Sequence, residues 1–266
     1  TKTSGYYATI LTLDGSSVDV EKSDNSATLV GKAVEVDYAT EKIRTISKGS
    51  GNTSGYINAS SLTWGSTPIA QNIKILEIDD NGNMVKLTLS RLDGVSLKSE
   101  SVLLSTTNAS GAIDGLILKD VTGDMHKYGL ITKIDRNTVS DGAGGQSPSK
   151  YVYHYDLNGQ TGTVTLSGAT TSLTEGPCVF IYDDGILSEA KNLIRAENVT
   201  LLTPSYATVG GSVKHRISPN VQVYKVVDDT KIKTTLDEAV SYTGTVWIYY
   251  DNNHSAGGMV RVIYLK

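Results

Sequence analysis

Apolar and polar positions alternate along most of the chain, and a 3.6-residue period almost never lasts three turns. Asn220-Val221-Gln222-Val223-Tyr224-Lys225-Val226, Gly162-Thr163-Val164-Thr165-Leu166 and Met259-Val260-Arg261-Val262-Ile263-Tyr264-Leu265 each set β-branched or aromatic residues at period two. That spacing predicts strands with one buried face. Hairpin dipeptides stand between such runs: Asp14-Gly15, Asn81-Gly82, Asp93-Gly94, Asn158-Gly159 and Asp184-Gly185. Gly, Asn and Asp supply the positive φ that two-residue turns require, so the pattern predicts a meander of antiparallel hairpins. Two segments read as helical, 235–240 and 188–194, and each is too short to be more than a connecting turn or two.

Set against itself, the chain repeats. Leu13-Asp14-Gly15 matches Leu157-Asn158-Gly159 at an offset of 144, and Gly31-Lys32-Ala33-Val34 matches Gly176-Pro177-Cys178-Val179 at 145. Asn72-Ile73-Lys74-Ile75-Leu76-Glu77-Ile78 matches Asn220 to Val226 at 148, with apolar character at the same alternate positions. Ser101 to Ser105 corresponds to Thr245 to Tyr249 at 144, and Gly111 to Leu118 corresponds to Gly258 to Leu265 at 147. The expected fold is therefore all-β: two tandem copies of an antiparallel β module, small barrels or sandwiches, with helices limited to short connecting turns. The first copy covers 1–118, a linker covers 119–126, and the second copy covers 127–266. Residues 128–134 form an extra opening strand in the second copy, whose counterpart would precede Thr1, so the sequence reads as a fragment beginning inside its first repeat. Each copy is expected to divide into two smaller barrels or sheets, one up to about Ile46 or Leu193 and one after Ile57 or Val213, with the Gly/Ser/Thr-rich stretches 47–54 and 203–212 between them.

Composition narrows the function classes. The 266 residues are 39% hydrophobic and 20% charged, and the aromatics are 15 Tyr and 2 Trp against one Phe, a balance suited to half-wet β surfaces. With 24 basic against 28 acidic residues, there is no electrostatic footprint for nucleic acid or an anionic membrane surface. One cysteine, Cys178, excludes a disulfide framework and a Cys-based zinc site. It sits in the apolar run Gly176-Pro177-Cys178-Val179-Phe180-Ile181 and reads as an inert core thiol. No apolar stretch approaches the roughly 20 residues of a transmembrane helix.

Tyr128-Gly129-Leu130-Ile131-Thr132-Lys133-Ile134, Asn220-Val221-Gln222-Val223-Tyr224 followed by Leu236-Asp237-Glu238, and Thr245-Val246-Trp247-Ile248-Tyr249-Tyr250-Asp251 ending in Val260 to Leu265 together resemble a known class of sequence. They are similar to the β-rich repeat regions of Gram-positive bacterial surface proteins that carry S-layer homology modules elsewhere in their chains. The resemblance implies an extracellular setting at the bacterial cell surface or cell wall and a structural, spacer or adhesive role. Cell-wall glycan or other surface proteins are the partners it implies. The helical wall-anchoring module itself is not in this sequence.

Nucleophile elbows, phosphate-cradling loops and zinc-ligand pairs do not occur. Gly142-Ala143-Gly144-Gly145 runs into Gln146-Ser147-Pro148-Ser149 and reads as a flexible loop. His126, His154, His215 and His254 stand singly, without metal-pair spacing. Asp79-Asp80-Asn81-Gly82-Asn83 and Asp251-Asn252-Asn253 offer oxygen ligands for a cation such as calcium but read first as solvated hairpin tips. No catalytic residue, metal site or cofactor is expected. Binding falls to aromatic faces: period two puts Tyr151, Tyr153 and Tyr155 on one face. Trp247 and Tyr249, opposite Leu103 and Ser105 in the repeat, point to a wet face. The expected function is a non-catalytic structural or interaction region, with a carbohydrate-binding or adhesive module as the alternative and an accessory domain of an envelope hydrolase behind both.

Overall fold

The computed structural model describes residues 6–14, 16–22, 34–37, 42–45, 55–79, 81–137, 150–165, 173–183 and 185–266. Gly15, the 31–33 tripeptide, the 47–54 stretch, Asp80, the 142–149 loop, Leu166 and Asp184 lie outside them. The chain forms two compact units: Thr1–Met125 with Ser255–Gly257, and His126–His254 with Gly258–Lys266.

In the first unit, β1 (Tyr6–Leu11) pairs with β2 (Ser17–Lys22) and β3 (Val34–Asp37) with β4 (Lys42–Thr45), each a two-stranded antiparallel sheet. The β1–β2 turn is held by Asp14, which accepts from Ser16 N at 3.0 Å and from the Thr12 and Ser16 hydroxyls. These bonds hold its carboxyl below the usual carboxylate range. The larger sheet consists of β5 (Ile57–Asn58), β6 (Thr63–Trp64), β7 (Thr67–Ile78), β8 (Met84–Leu87), β9 (Val102–Thr107) and β10 (Ile113–Lys119). Its order is β5-β6-β7-β10-β9, with β8 also on β7. Apolar residues at alternate strand positions meet in one core of Ile57, Trp64, Ile69, Ile75, Leu116 and Leu118, closed by Leu92, Val95 and Leu97. Burying each such large side chain contributes about 1.5–3 kcal/mol.

The second unit has two sheets. β11 (Lys127–Asn137), β12 (Lys150–Leu157), β13 (Gln160–Thr165), β14 (Gly176–Asp183) and β15 (Ile186–Asn192) run in the order β13-β12-β11-β14-β15, all antiparallel. β16 (Ile194–Ala196), β17 (Val199–Leu202), β18 (Tyr206–Val209), β19 (Val213–Val227), β20 (Thr230–Thr234), β21 (Val246–Tyr250) and β22 (Val260–Leu265) form the other, ordered β16-β21-β22-β19-β18-β17 with β20 also on β19. Neighbouring residues of β11 serve different cores. Leu130 joins Val179, Tyr224, Tyr249, Val262 and Tyr264, while Ile131 joins Tyr153, Cys178 and Phe180. A third core, with Ile217, Val223, Ile248, Val260 and Ile263, buries Ala239 of α1 (Leu236–Ser241).

The repeat is structural as well as sequential. β10 pairs in parallel with β7 and antiparallel with β9, and β22 pairs in parallel with β19 and antiparallel with β21. Both parallel ladders carry the same irregularity: pairing jumps from Ile113↔Ile69 to Gly115↔Lys74, and from Ile217↔Val260 to Gln222↔Val262. Thr88 caps a 3₁₀ turn at Leu89–Leu92, and Thr235 caps α1 at the corresponding place. Leu92 and Ala239 are the residues these turns bury.

Five readings from the sequence need correction. Asp93-Gly94 makes no hairpin: it follows the 3₁₀ turn at Leu89–Leu92, and the strands on either side of it, β8 and β9, pair with β7 and β10 instead of with each other. Residues 188–194 are not helical but lie in β15 and β16, because Ala190 enters a sheet core while its neighbours face out. The parallel pairs are invisible to hairpin dipeptides, since parallel strands are joined by chain that lies elsewhere. The second copy does divide into two sheets, one ending at Asn192 and the other beginning at Ile194, but the 203–212 stretch is not the divider; it holds β18 and its flanking turns within the second of them. Finally, Leu103 is an extra residue in the β9–β10 ladder, so Trp247, opposite Tyr264, corresponds by pairing to Leu104, opposite Ile117.

Candidate functional site

The aromatic candidates are mostly packing residues. Tyr151, Tyr153 and Tyr155 share one face of β12 as their spacing requires, but that face is the inner one. Tyr153 is 1% exposed, Tyr151 stacks on it with ring centroids 6.2 Å apart, and Tyr155 lies 5.6 Å from Phe180. Tyr249, expected on a wet face, is 7% exposed and meets Tyr264 edge-on at 4.9 Å. The physical reason is that the seven-stranded sheet buries apolar side chains on both of its faces, so alternation does not separate a wet side from a dry one there. Trp247 is half-buried, with the Arg195 guanidinium 4.7 Å and the Lys266 ammonium 3.3 Å from its ring centroid. Its ring is a seat for cations of the chain itself.

Charged side chains buried in both units are spent internally, while the buried Trp64 Nε1 and Tyr264 hydroxyl make no hydrogen bond among the described residues. Glu77, on β7, is 0% exposed and accepts from Val121 N, Thr122 N and the Thr122 hydroxyl. Burial raises its carboxyl above the usual range against the pull of those bonds. Arg91 closes the same corner, donating to Asp124 at 2.8 Å, to Thr122 O at 3.0 Å and to Gly257 O at 2.9 Å. Residues 119–125, expected as part of a linker, are thus tethered to the first unit. In the second unit Arg261, 4% exposed, donates to Asp251 at 2.7 Å and lies over the Tyr128 ring, whose hydroxyl also donates to Asp251.

The oxygen-rich turns are likewise self-satisfied. Asp251 also accepts from Asn252 N and Met259 N, and Asp79 accepts from Asn81 N, Asn83 N and Asn83 Nδ2. Among the described residues, no three His, Cys, Asp or Glu side chains gather as a metal-binding group, and no helix is long and apolar enough to cross a membrane. His154 bonds Asp135 at 2.7 Å, and His215 stacks on Tyr250 at 4.3 Å, held below the usual imidazole range by burial. Cys178 is buried and its thiol is pushed up to about 12, chiefly by desolvation.

The described residues of the second unit also enclose a concave feature. A cavity of about 400 Å³ is lined by His126, Tyr128, Asn158, Lys233 and Thr234 together with the 220–223 segment of β19. It opens at a notch in the sheet edge. β18 pairs with β19 only as far as Arg216, and β20 takes up the same edge at Val223. Gln222 is fixed at both ends of its amide, donating to Tyr128 O at 2.6 Å and accepting from the Tyr224 hydroxyl at 2.7 Å. Lys233 reaches across the opening to donate to Asn158 Oδ1. Sequence reasoning passed over these residues because they belong to four separate strands and turns. The signals were the Asn72/Asn220 and Asp14/Asn158 matches within the repeat.

The chain matches no family model, no curated protein and no solved structure.

Proposed function

We propose that this chain is a non-catalytic structural and interaction region of an extracellular bacterial cell-surface protein, built from two successive β modules. The observation that supports this most is the duplicated ladder, with its parallel pair and identical register jump in both units. Repetition of one module extends a chain and multiplies its surface, and in both copies the buried charged side chains are consumed by internal hydrogen bonds. Glu77, Arg91, Asp251 and Arg261 fasten backbone segments and each other. The S-layer-type resemblance supplies the setting. Antibodies against the chain are expected to bind intact cells of the source organism, with the signal removed by protease shaving. Confinement of the antigen to the cytosolic fraction, or turnover of cell-wall polymers by the purified chain, would overturn the proposal.

A further inference from the structure

We infer that the notch between β18 and β20 in the second unit binds a carboxylate-bearing saccharide, a uronic-acid unit of a polymer. The inference rests on the pocket's chemistry and holds wherever the protein resides. The volume of about 400 Å³ accepts one or two sugar rings. Its lining holds one lysine, Lys233, and no carboxylate. Asn158, Asn220 and Gln222 each present an amide, a group that both donates and accepts, matching the dual character of sugar hydroxyls. Gln222 is already oriented by Tyr128 and Tyr224, so that part of the wall needs no ordering when a ligand arrives. Lys233 sits on Asn158, a neutral partner, and can turn to a carboxylate for a stronger, charge-assisted bond.

The first unit provides an internal comparison. By the pairing of β7 with β8 and β19 with β20, Lys86 corresponds to Lys233 and Lys74 to Gln222. The turn residue matching Asn158 is Asp14, which puts a carboxylate at that position. An acidic ligand would there meet a fixed negative charge, and the first copy is expected to bind none.

The test is calorimetric titration of the whole chain with α-1,4-linked trigalacturonate and with maltotriose, its uncharged counterpart in linkage and length. Trigalacturonate is expected to bind, with maltotriose at least tenfold weaker and the affinity falling as salt rises. Lys233→Gln and Asn158→Asp, both at exposed positions, are expected to weaken trigalacturonate tenfold or more. Lys86→Gln in the first copy should leave it unchanged. No binding of either sugar, equal affinity for the two, or loss in the Lys86 variant with none in the Lys233 variant overturns the inference.

Discussion

At the scale of single residues, the decisive groups are those whose surroundings leave no substitute. Replacing Glu77 by Ala strands the amides of Val121 and Thr122 inside the first unit, at about 1–3 kcal/mol for each buried group left unpaired. Glu77→Ala is therefore expected to lower urea stability by about 3 kcal/mol, and Glu77→Gln, which keeps an accepting oxygen, by much less. Because burial raises the folded pKa of Glu77 above its unfolded value, the folded state holds the extra proton. Its contribution is most favourable below the unfolded pKa and declines as pH rises through the folded one. Tyr249→Ala removes a ring from a closed core and is expected to cost about 3–5 kcal/mol. Trp247→Ala, at a half-buried ring, is expected to cost clearly less in the same denaturant titration. The Cys178 thiol, pushed up to about 12, is expected to stay unreactive toward Ellman's reagent until the second unit is unfolded. Its inertness was legible in the sequence because an apolar run is what buries a thiol. The burial of Tyr249 was not, because nothing in a local alternation tells which faces of a sheet are covered.

β11 is the strand that the sequence assigned to the second copy alone, and it lies between β12 and β14 as the centre of its sheet. Gly129 of β11 approaches the β12 backbone so closely that a Cβ would fall on the carbonyl oxygen of Asp156. Gly129→Ala is thus expected to prise β11 from β12 and lower the thermal midpoint of the second unit by several degrees, which circular dichroism would record. Edge strands behave differently. Ile232 on β20 is 52% exposed and Leu201 on β17 is 49% exposed, so Ile232→Lys and Leu201→Lys are expected to leave stability within about 0.5 kcal/mol while reducing self-association in light scattering. The turn between β19 and β20 is made by Asp228 and Asp229, both at positive φ. No glycine marks it, which is why that hairpin was passed over.

For the whole molecule, the tyrosines set the response to alkali. Tyr224 is pushed up to about 12 by burial, and Tyr249 and Tyr264 are raised for the same reason. These hydroxyls keep their protons in the folded state at pH values where the unfolded chain has begun to lose them, so stability falls as pH rises above 10, the unfolded value. Urea midpoints measured from pH 9 to 12 are expected to decline steadily, and Tyr224→Phe to flatten the slope. A rising midpoint over this range would refute the shared burial of the three rings.

Strand character, the hairpins at Asn81-Gly82 and Asn158-Gly159 and the duplication were determined by the sequence alone, because each is written in local periodicity, turn chemistry or direct self-similarity. The short helix near 235–240 was readable for the same reason. Tertiary structure alone decided the parallel pairs β7–β10 and β19–β22, the extra residue Leu103 in one ladder, and which aromatic faces are covered. It also decided that Glu77, Thr122 and Arg91 meet, and that Asn158, Gln222 and Lys233 border one cavity. These outcomes depend on contacts between residues distant in the chain, whose energies are set by what packs against each strand rather than by the strand's own pattern.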